Sequence, residues 1–206
     1  KRNKFLITKK MQIVALDLET TWLDPKKDTI IEIALVKFDS KTFKIIDTFS
    51  TLINPLIPIP ELITNICNIT DEDVENAPIL TEDLMTKIED FIWDCPILWH
   101  NTNFDRDFLL NHEIDVSKNI VLDTFILANI INYEEKSLNL WFLCEKYDII
   151  LEWAHRALND TEATVKLFEK QLIDFKALPS EKKALLSYVF SFTTDKSFEV
   201  YKELIW

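Results

Sequence analysis

The sequence predicts an α/β fold, a mixed five-stranded sheet with helices on both faces. Three observations lead there. Three apolar runs of strand length come one after another in residues 11–55. Two later runs, at 95–101 and 119–124, are short and lie among segments with helical spacing. And 206 residues, 48% hydrophobic and 28% charged, suffice for one domain with a real core. Consecutive strands joined by a short turn pair antiparallel, so the first three form a meander. Strands separated by helices need crossovers, so the last two run parallel to the first.

The elements follow in order. "MQIVALDLE" is an apolar run ending in two acids, a buried strand. "TIIEIALVKFD" and "FKIIDTFSTLINP" are the next two, joined across the polar "DSKT". "PLIPIPELI" is a proline-punctuated loop entering a short helix. "TDEDV" opens with a threonine cap and acids in the first turn, a second short helix. "TEDLMTKIEDFI" places apolar residues at 84, 85, 88, 91 and 92, which is helical spacing. "CPILWHN" is a buried strand, and "NFDRDFLLNHEI" a helix with Phe104, Phe108 and Leu109 on one face. "NIVLDT" is the fifth strand, followed by "FILANII". "SLNLWFLCEKYDI" is a helix with Ser137 as its expected N-cap, and "NDTEATVKLFEKQLIDF" another. Beyond Pro179, "PSEKKALLSYVFSF" and "KSFEVYKELI" predict two further amphipathic helices. The expected division is a basic stub over 1–10 ahead of Met11, a catalytic domain over 11–175, and a helical extension over 176–206. The stub lacks the apolar stretch of a secretory leader.

Composition narrows the function. No apolar run approaches the roughly 18–20 residues of a membrane span. Cys67, Cys95 and Cys144 stand far apart, which is neither a disulfide framework nor a zinc pattern. They read as core thiols in a reducing, cytoplasmic compartment. The net charge of −12 argues against a broad basic groove for nucleic acid. It leaves room for an enzyme that draws cations into an acidic site.

Asp17 and Glu19 are the first candidates. At i and i+2 on a strand they share one face. Two carboxylates at the edge of an apolar run repel and are costly to desolvate. A hard divalent cation with oxygen ligands relieves both problems. A lone Asp-x-Glu is a weak signal, because such pairs are common on solvated strands. "HNTNFDRDFL" adds Asp105 just inside a helix that follows a buried strand, and "HRALNDTEAT" adds His155 before a helix and Asp160 near its start. The apolar flanks bring these ends to one edge of the sheet.

This constellation resembles the DEDD 3′–5′ exonucleases of the RNase H-like superfold. It is most similar to their histidine-bearing branch, which includes the epsilon-type proofreading exonuclease of DNA polymerase III and RNase T. The stretches that carry the resemblance are "LDLETT", "TIIEIALVKFD", "NITDEDVENAP", "ILWHNTNFDRDFLL", "VLDT", "SLNLWFLCEKYDI" and "HRALNDTEATVKLF", in family order from about residue 12 to 170. The resemblance implies Asp17, Glu19, Asp105 and Asp160 as metal ligands and His155 as general base. The implied mechanism is two-metal phosphodiester hydrolysis, with two divalent ions about 4 Å apart. Mg²⁺ is the expected ion, with Mn²⁺ able to substitute. Asp17 would bridge both ions, Asp105 and Asp160 would hold one, and Glu19 the other. A histidine titrates near neutral pH, which suits a base that takes a proton from water.

Thr20, Thr21 and Trp22 match positions lining the 3′-terminal nucleotide; a threonine-rich turn bonding its own backbone is the alternative. Asn101 reads as a substrate or loop-fixing residue, and His100 beside it as structural. Phe104 is open to stacking on a base or to core packing. The implied substrate is a single-stranded 3′ end, DNA in a proofreader. The alternatives are RNA trimming of the RNase T kind, or a non-catalytic module associated with a polymerase. A polymerase subunit or a fused domain is the expected partner, and no membrane is.

One compositional fact stands apart. The chain contains no glycine and six tryptophans, where about 14 glycines would be usual. The turn "DLETTWLDP" is of a kind that favours glycine at positive φ. Trp93 reads as the residue just past a helix end, where glycine is preferred. By the resemblance, Trp22, Trp99, Trp141 and Trp153 also stand where a small residue is usual. The expectation is that the source reads UGA as glycine. Asn68 and Asp148 occupy two further glycine-like positions, and both residue types tolerate the left-handed region.

Overall fold

The computed structural model describes residues 11–152, 154–190 and 195–205. The basic stub and Trp153 fall outside them. In chain order the elements are β1 (Gln12–Thr20), β2 (Ile30–Asp39), β3 (Ile45–Leu52), α1 (Glu61–Cys67), α2 (Asp71–Val74), α3 (Glu82–Ile92), β4 (Ile97–Trp99), α4 (Asn103–Asn111), β5 (Val121–Asp123), α5 (Thr124–Ile131), α6 (Leu140–Lys146), α7 (Ala157–Ala177), α8 (Ser180–Phe190) and α9 (Ser197–Ile205). The sheet order is β3-β2-β1-β4-β5. β1, β2 and β3 form an antiparallel meander, and β4 and β5 run parallel to β1.

Period-2 alternation on β1 builds both layers of core. Val14, Leu16 and Leu18 pack with Ile97 and Trp99 of β4 against Leu84, Ile88 and Ile92 of α3 and Phe108 and Leu109 of α4. On the opposite face, Ile13, Ala15, Leu98 and Leu122 meet Leu127 of α5, Val165, Phe168, Leu172 and Phe175 of α7, and Tyr201 of α9. Helices therefore cover both faces, as the sequence predicts. The fold is that of an RNase H-like sheet, with β1, β4 and β5 all ending at one edge. Such an edge of parallel strands is where open α/β sheets place their ligands.

Local chemistry sets the helix ends. Thr70 forms a full capping box with Asp73 at the start of α2. Thr81 Oγ1 accepts from the Leu84 amide to start α3. The cap of α6 is Asn139, not Ser137: its Oδ1 accepts from the Phe142 amide at 2.8 Å, while Ser137 only receives the Asn139 amide at 3.3 Å. The expected helix through Ile114 stops at Asn111, because Glu113 turns to φ 63° and Ile114 donates back to the Leu109 carbonyl. Asn68 and Asp148 do take left-handed conformations, at φ 54° and 53°. α8 is less amphipathic than expected, with Leu185, Tyr188 and Val189 exposed.

The turn after β1 differs from its expectation. Trp22 is not at positive φ; among the described tryptophans only Trp93 is. The turn is held by side chains instead. Thr20 Oγ1 donates to the Trp22 carbonyl, and Asp28 accepts from the Asp24 amide. Trp99, where a small residue is usual by the resemblance, is fully buried in the core beneath α3 and α4.

Candidate active site

The site forms where β1, α4 and α7 meet. Asp17 and Glu19 project half-buried from the same face of β1. A register shift between Glu19 and Thr20 ends the regular ladder with β2 there. β4 lies beside β1 and leads directly into α4, which carries Asp105 in its first turn. α7 packs along the β1 and β2 face and carries Asp160 in its first turn. Asp105 and Asp160 are 6% and 9% exposed. His155 sits just ahead of α7, exposed, in a left-handed conformation at φ 65°. Its amide donates to Asp160 Oδ2 at 3.0 Å.

Burial and mutual repulsion act on all four acids. Burial first, then the charges of Asp105, Glu19, Asp160 and Glu32, hold the Asp17 carboxyl well above the usual range. Burial and the neighbouring acids push Glu19 up to about 8. Burial pushes Asp105 up to about 7, against the pull of its own and the Leu18 amides. Asp160 rises to about 6 by burial, restrained by the His155 amide. Clustered acids of this kind mark functional sites more often than structural ones.

The donor set fits a divalent cation. Glu19, His155 and Asp160 each offer one ligand atom, all within 4.8 Å of one another. Asp160 Oδ1 is buried and finds no hydrogen-bond partner among the described residues. A buried orphan carboxylate oxygen is costly, and coordination would satisfy it.

Several supporting residues escape a reading of sequence alone. Glu32 lies directly opposite Glu19 across the β1–β2 pair, a repulsive placement unless neutralised. Arg156 neutralises it with a two-pronged contact at 3.1 and 3.0 Å, and the Ala157 amide adds a third bond at 3.0 Å. That clamp ties the start of α7 to β2, immediately after His155. Asp123 at the end of β5 accepts from the Asn101 and Thr102 amides and from the Thr102 hydroxyl. "VLDT" falls within the family resemblance, but nothing in it reveals these bonds.

The expected substrate residues are scattered around this centre. Thr20 and Thr21 bond within their own turn. Trp22 is 40% exposed beside them. Asn101 adopts φ 72° and lines a hollow of about 750 Å³ together with Arg106, Lys118 and Lys196. Phe104 packs on Phe108 at 4.9 Å and joins the core. His100 is spanned by Thr124 Oγ1 on Nδ1 and the Leu138 carbonyl on Nε2, and burial lowers its pKa. A cleft of about 450 Å³ opens at His155 and Asp160, bordered by Asn139, Leu140, Trp141 and Leu151.

Solved exonucleases share this architecture. Exonuclease X in complex with 5′-overhanging duplex DNA aligns over 82% of this chain and 96% of its own, with a TM-score of 0.63 and 22% identity. E. coli Exonuclease I in complex with a dT13 oligonucleotide aligns over 92% of this chain and 46% of its own (TM-score 0.68, 18% identity). The nuclease domain of 3′hExo, a DEDDh family member bound to rAMP, aligns over 81% and 94% (TM-score 0.64, 19% identity). The RNase_T exonuclease family model matches residues 14–168. The chain belongs to that family, the DEDD 3′–5′ exonucleases, and is an enzyme of that class. Its similar sequences include DNA polymerase III PolC-type of Bacillus subtilis, 39% identical over 166 residues, and of Caldanaerobacter subterraneus subsp. tengcongensis, 37% over 164. Each match takes in 78% of this chain but only 11% and 12% of those much longer proteins. Divalent metal dependence is general in the family.

Proposed function

We propose that this chain removes nucleotides from single-stranded DNA 3′ ends, as a proofreading exonuclease does. The carrying observation is the convergence of Glu19, His155 and Asp160, with ligand atoms within 4.8 Å, beside the half-buried Asp17 and the buried Asp105. Asp17, Glu19, Asp105 and Asp160 would hold two divalent ions, Mg²⁺ in the first instance and Mn²⁺ in its place. When bound, such ions supply positive charge to the phosphoryl oxygens and acidify the attacking water. The protein residues do the rest. His155, at the mouth of the cleft, accepts the proton of that water. The Glu32–Arg156 clamp holds the loop that carries it. Thr20 has its hydroxyl proton committed to the Trp22 carbonyl, so it presents lone pairs to a terminal 3′-hydroxyl. Thr21, Trp22 and Asn101 complete the lining of the nucleotide site, and Phe104, packed on Phe108, backs it from the core side.

DNA is favoured because the similar sequences named above are DNA polymerases. An RNA substrate is the second reading, supported by the neighbour bound to rAMP. Residues 11–175 would carry the exonuclease chemistry, with 176–206 as an extension whose helix α9 packs into the same core. A polymerase, on the same chain or a separate one, is the natural partner. Three free cysteines, two of them buried, suit a reducing cytoplasm. The test is release of nucleotides from 5′-labelled DNA and RNA strands with Mg²⁺. Asp17→Asn should lower the rate at least about 100-fold, since it removes charge stabilisation of several kcal/mol. Full activity in Asp17→Asn would overturn the reading, and preference for RNA would move the second reading to the front.

A further inference from the structure

We propose that Tyr201, on the C-terminal helix α9, is a positioning residue for the exonuclease centre. The inference rests on the reading of Asp105 as a metal ligand. Tyr201 lies beyond the stretch matched by the family, residues 14–168. It is 2% exposed. Its hydroxyl accepts from the Asp123 amide at 2.7 Å and lies 3.3 Å from the Asp123 carbonyl. β5 is an edge strand, so this phenol satisfies a main-chain group that no further strand can reach.

The Asp123 carboxylate carries the effect onward. One oxygen accepts from the Asn101 amide at 3.0 Å and the Phe125 amide at 2.7 Å. The other accepts from the Thr102 amide at 2.9 Å and the Thr102 hydroxyl at 2.6 Å. These bonds fix the turn between β4 and α4, including Asn101 at φ 72°, a conformation few residues adopt unaided. α4 starts one residue later, and Asp105 is in its first turn. Helix α9 thus sets, through Asp123, the ground on which Asp105 stands.

Tyr201→Phe deletes only the hydroxyl. The expected result is Mn²⁺ binding weakened about 10-fold by calorimetry, within the usual range for outer-shell partners. The Mn²⁺ concentration for half-maximal cleavage should shift with it. Thr102→Val, which breaks the next link, should act in the same direction. In an Asp105→Asn background, Tyr201→Phe should cause no further loss of Mn²⁺ affinity. A lower melting temperature with unchanged Mn²⁺ affinity in both single variants would make Tyr201 merely structural and overturn the inference. If the unmodified chain neither binds Mn²⁺ nor cleaves, the exonuclease reading itself fails, which is a different result.

A second inference rests on one backbone conformation, one unpartnered indole and the composition. We infer that the natural protein carries glycine at 93 and 99, through UGA read as glycine. Trp93 ends α3 at φ 46°, ψ −122°, a region that glycine enters without steric cost and other residues avoid. Its indole is 79% exposed, so packing returns nothing for the strain. Trp99 is fully buried with its Nε1–H unpartnered among the described residues, although buried indoles normally find an acceptor. No glycine occurs anywhere in the chain. Peptide mass spectrometry of the protein from its natural source should show glycine at these positions; tryptophan there overturns the inference. As a check on the physics, Trp93→Gly in the chain as written should raise the denaturant midpoint, and a lower midpoint would count against it.

Discussion

At the scale of single residues, the site is a balance of charge in a confined space. Glu32 is buried, opposite Glu19, and quenched by Arg156 and the Ala157 amide. Removing one partner leaves an uncompensated buried carboxylate beside four more. Arg156→Ala should cost about 3 kcal/mol of stability by urea unfolding. It should also slow cleavage about 10- to 100-fold, because the loop carrying His155 loses its anchor. Glu32→Gln with Arg156→Met should be milder in stability, since neither charge is left alone. The meeting of the four acids and His155 at one edge of the sheet is legible in the sequence because its signal is local: acids at strand ends and helix starts. Glu32 and Arg156 were not, because their bond joins positions 124 apart. The same holds for Asp123 and Tyr201, 78 apart.

At the scale of elements, type and order follow from periodicity, and ends follow from caps. All five strands and the meander-then-crossover order were legible, since alternation and apolar runs survive without tertiary information. The start of α6 was not, because Ser137 and Asn139 are both good caps and only the backbone path chooses. Asn139→Ala should therefore destabilise the chain by about 1 kcal/mol in denaturant unfolding, and Ser137→Ala by less than about 0.5 kcal/mol. The end of α4 was likewise hidden, because it needs Glu113 at positive φ, which its residue type does not announce.

At the scale of the whole molecule, charge governs behaviour. Unfolded carboxyls titrate near pH 4, but in the folded chain Glu19, Asp105 and Asp160 hold their protons to about 8, 7 and 6. At these three groups the folded, metal-free chain binds more protons than the unfolded one between about pH 4 and 8. These groups therefore stabilise the fold least at the alkaline end, and stability should fall as pH rises through that window. Thermal unfolding across pH 4.5 to 8.5 in EDTA should show the decline, and saturating Mg²⁺ should flatten it. The net charge of −12 sets a second expectation. With so little long-range attraction for a polyanion, the isolated chain should release its strand after few cuts. An excess of unlabelled oligonucleotide added after the start should stop degradation of the labelled one.

The packing of α7 and α9 bears on how such an enzyme travels between proteins in evolution. The family-matched stretch ends at residue 168, but α7 continues to Ala177 and buries Leu172 and Phe175 in the same core as Val200 and Tyr201. The stretch that the family model covers and the stretch that packs as one core have different boundaries here. A fusion or transplant cut at the edge of the recognisable motif would keep Asp17, Glu19, Asp105 and Asp160 but strip Leu172, Phe175, Val200 and Tyr201 from one layer of the core. A cut placed after α9 instead keeps that layer of the core whole.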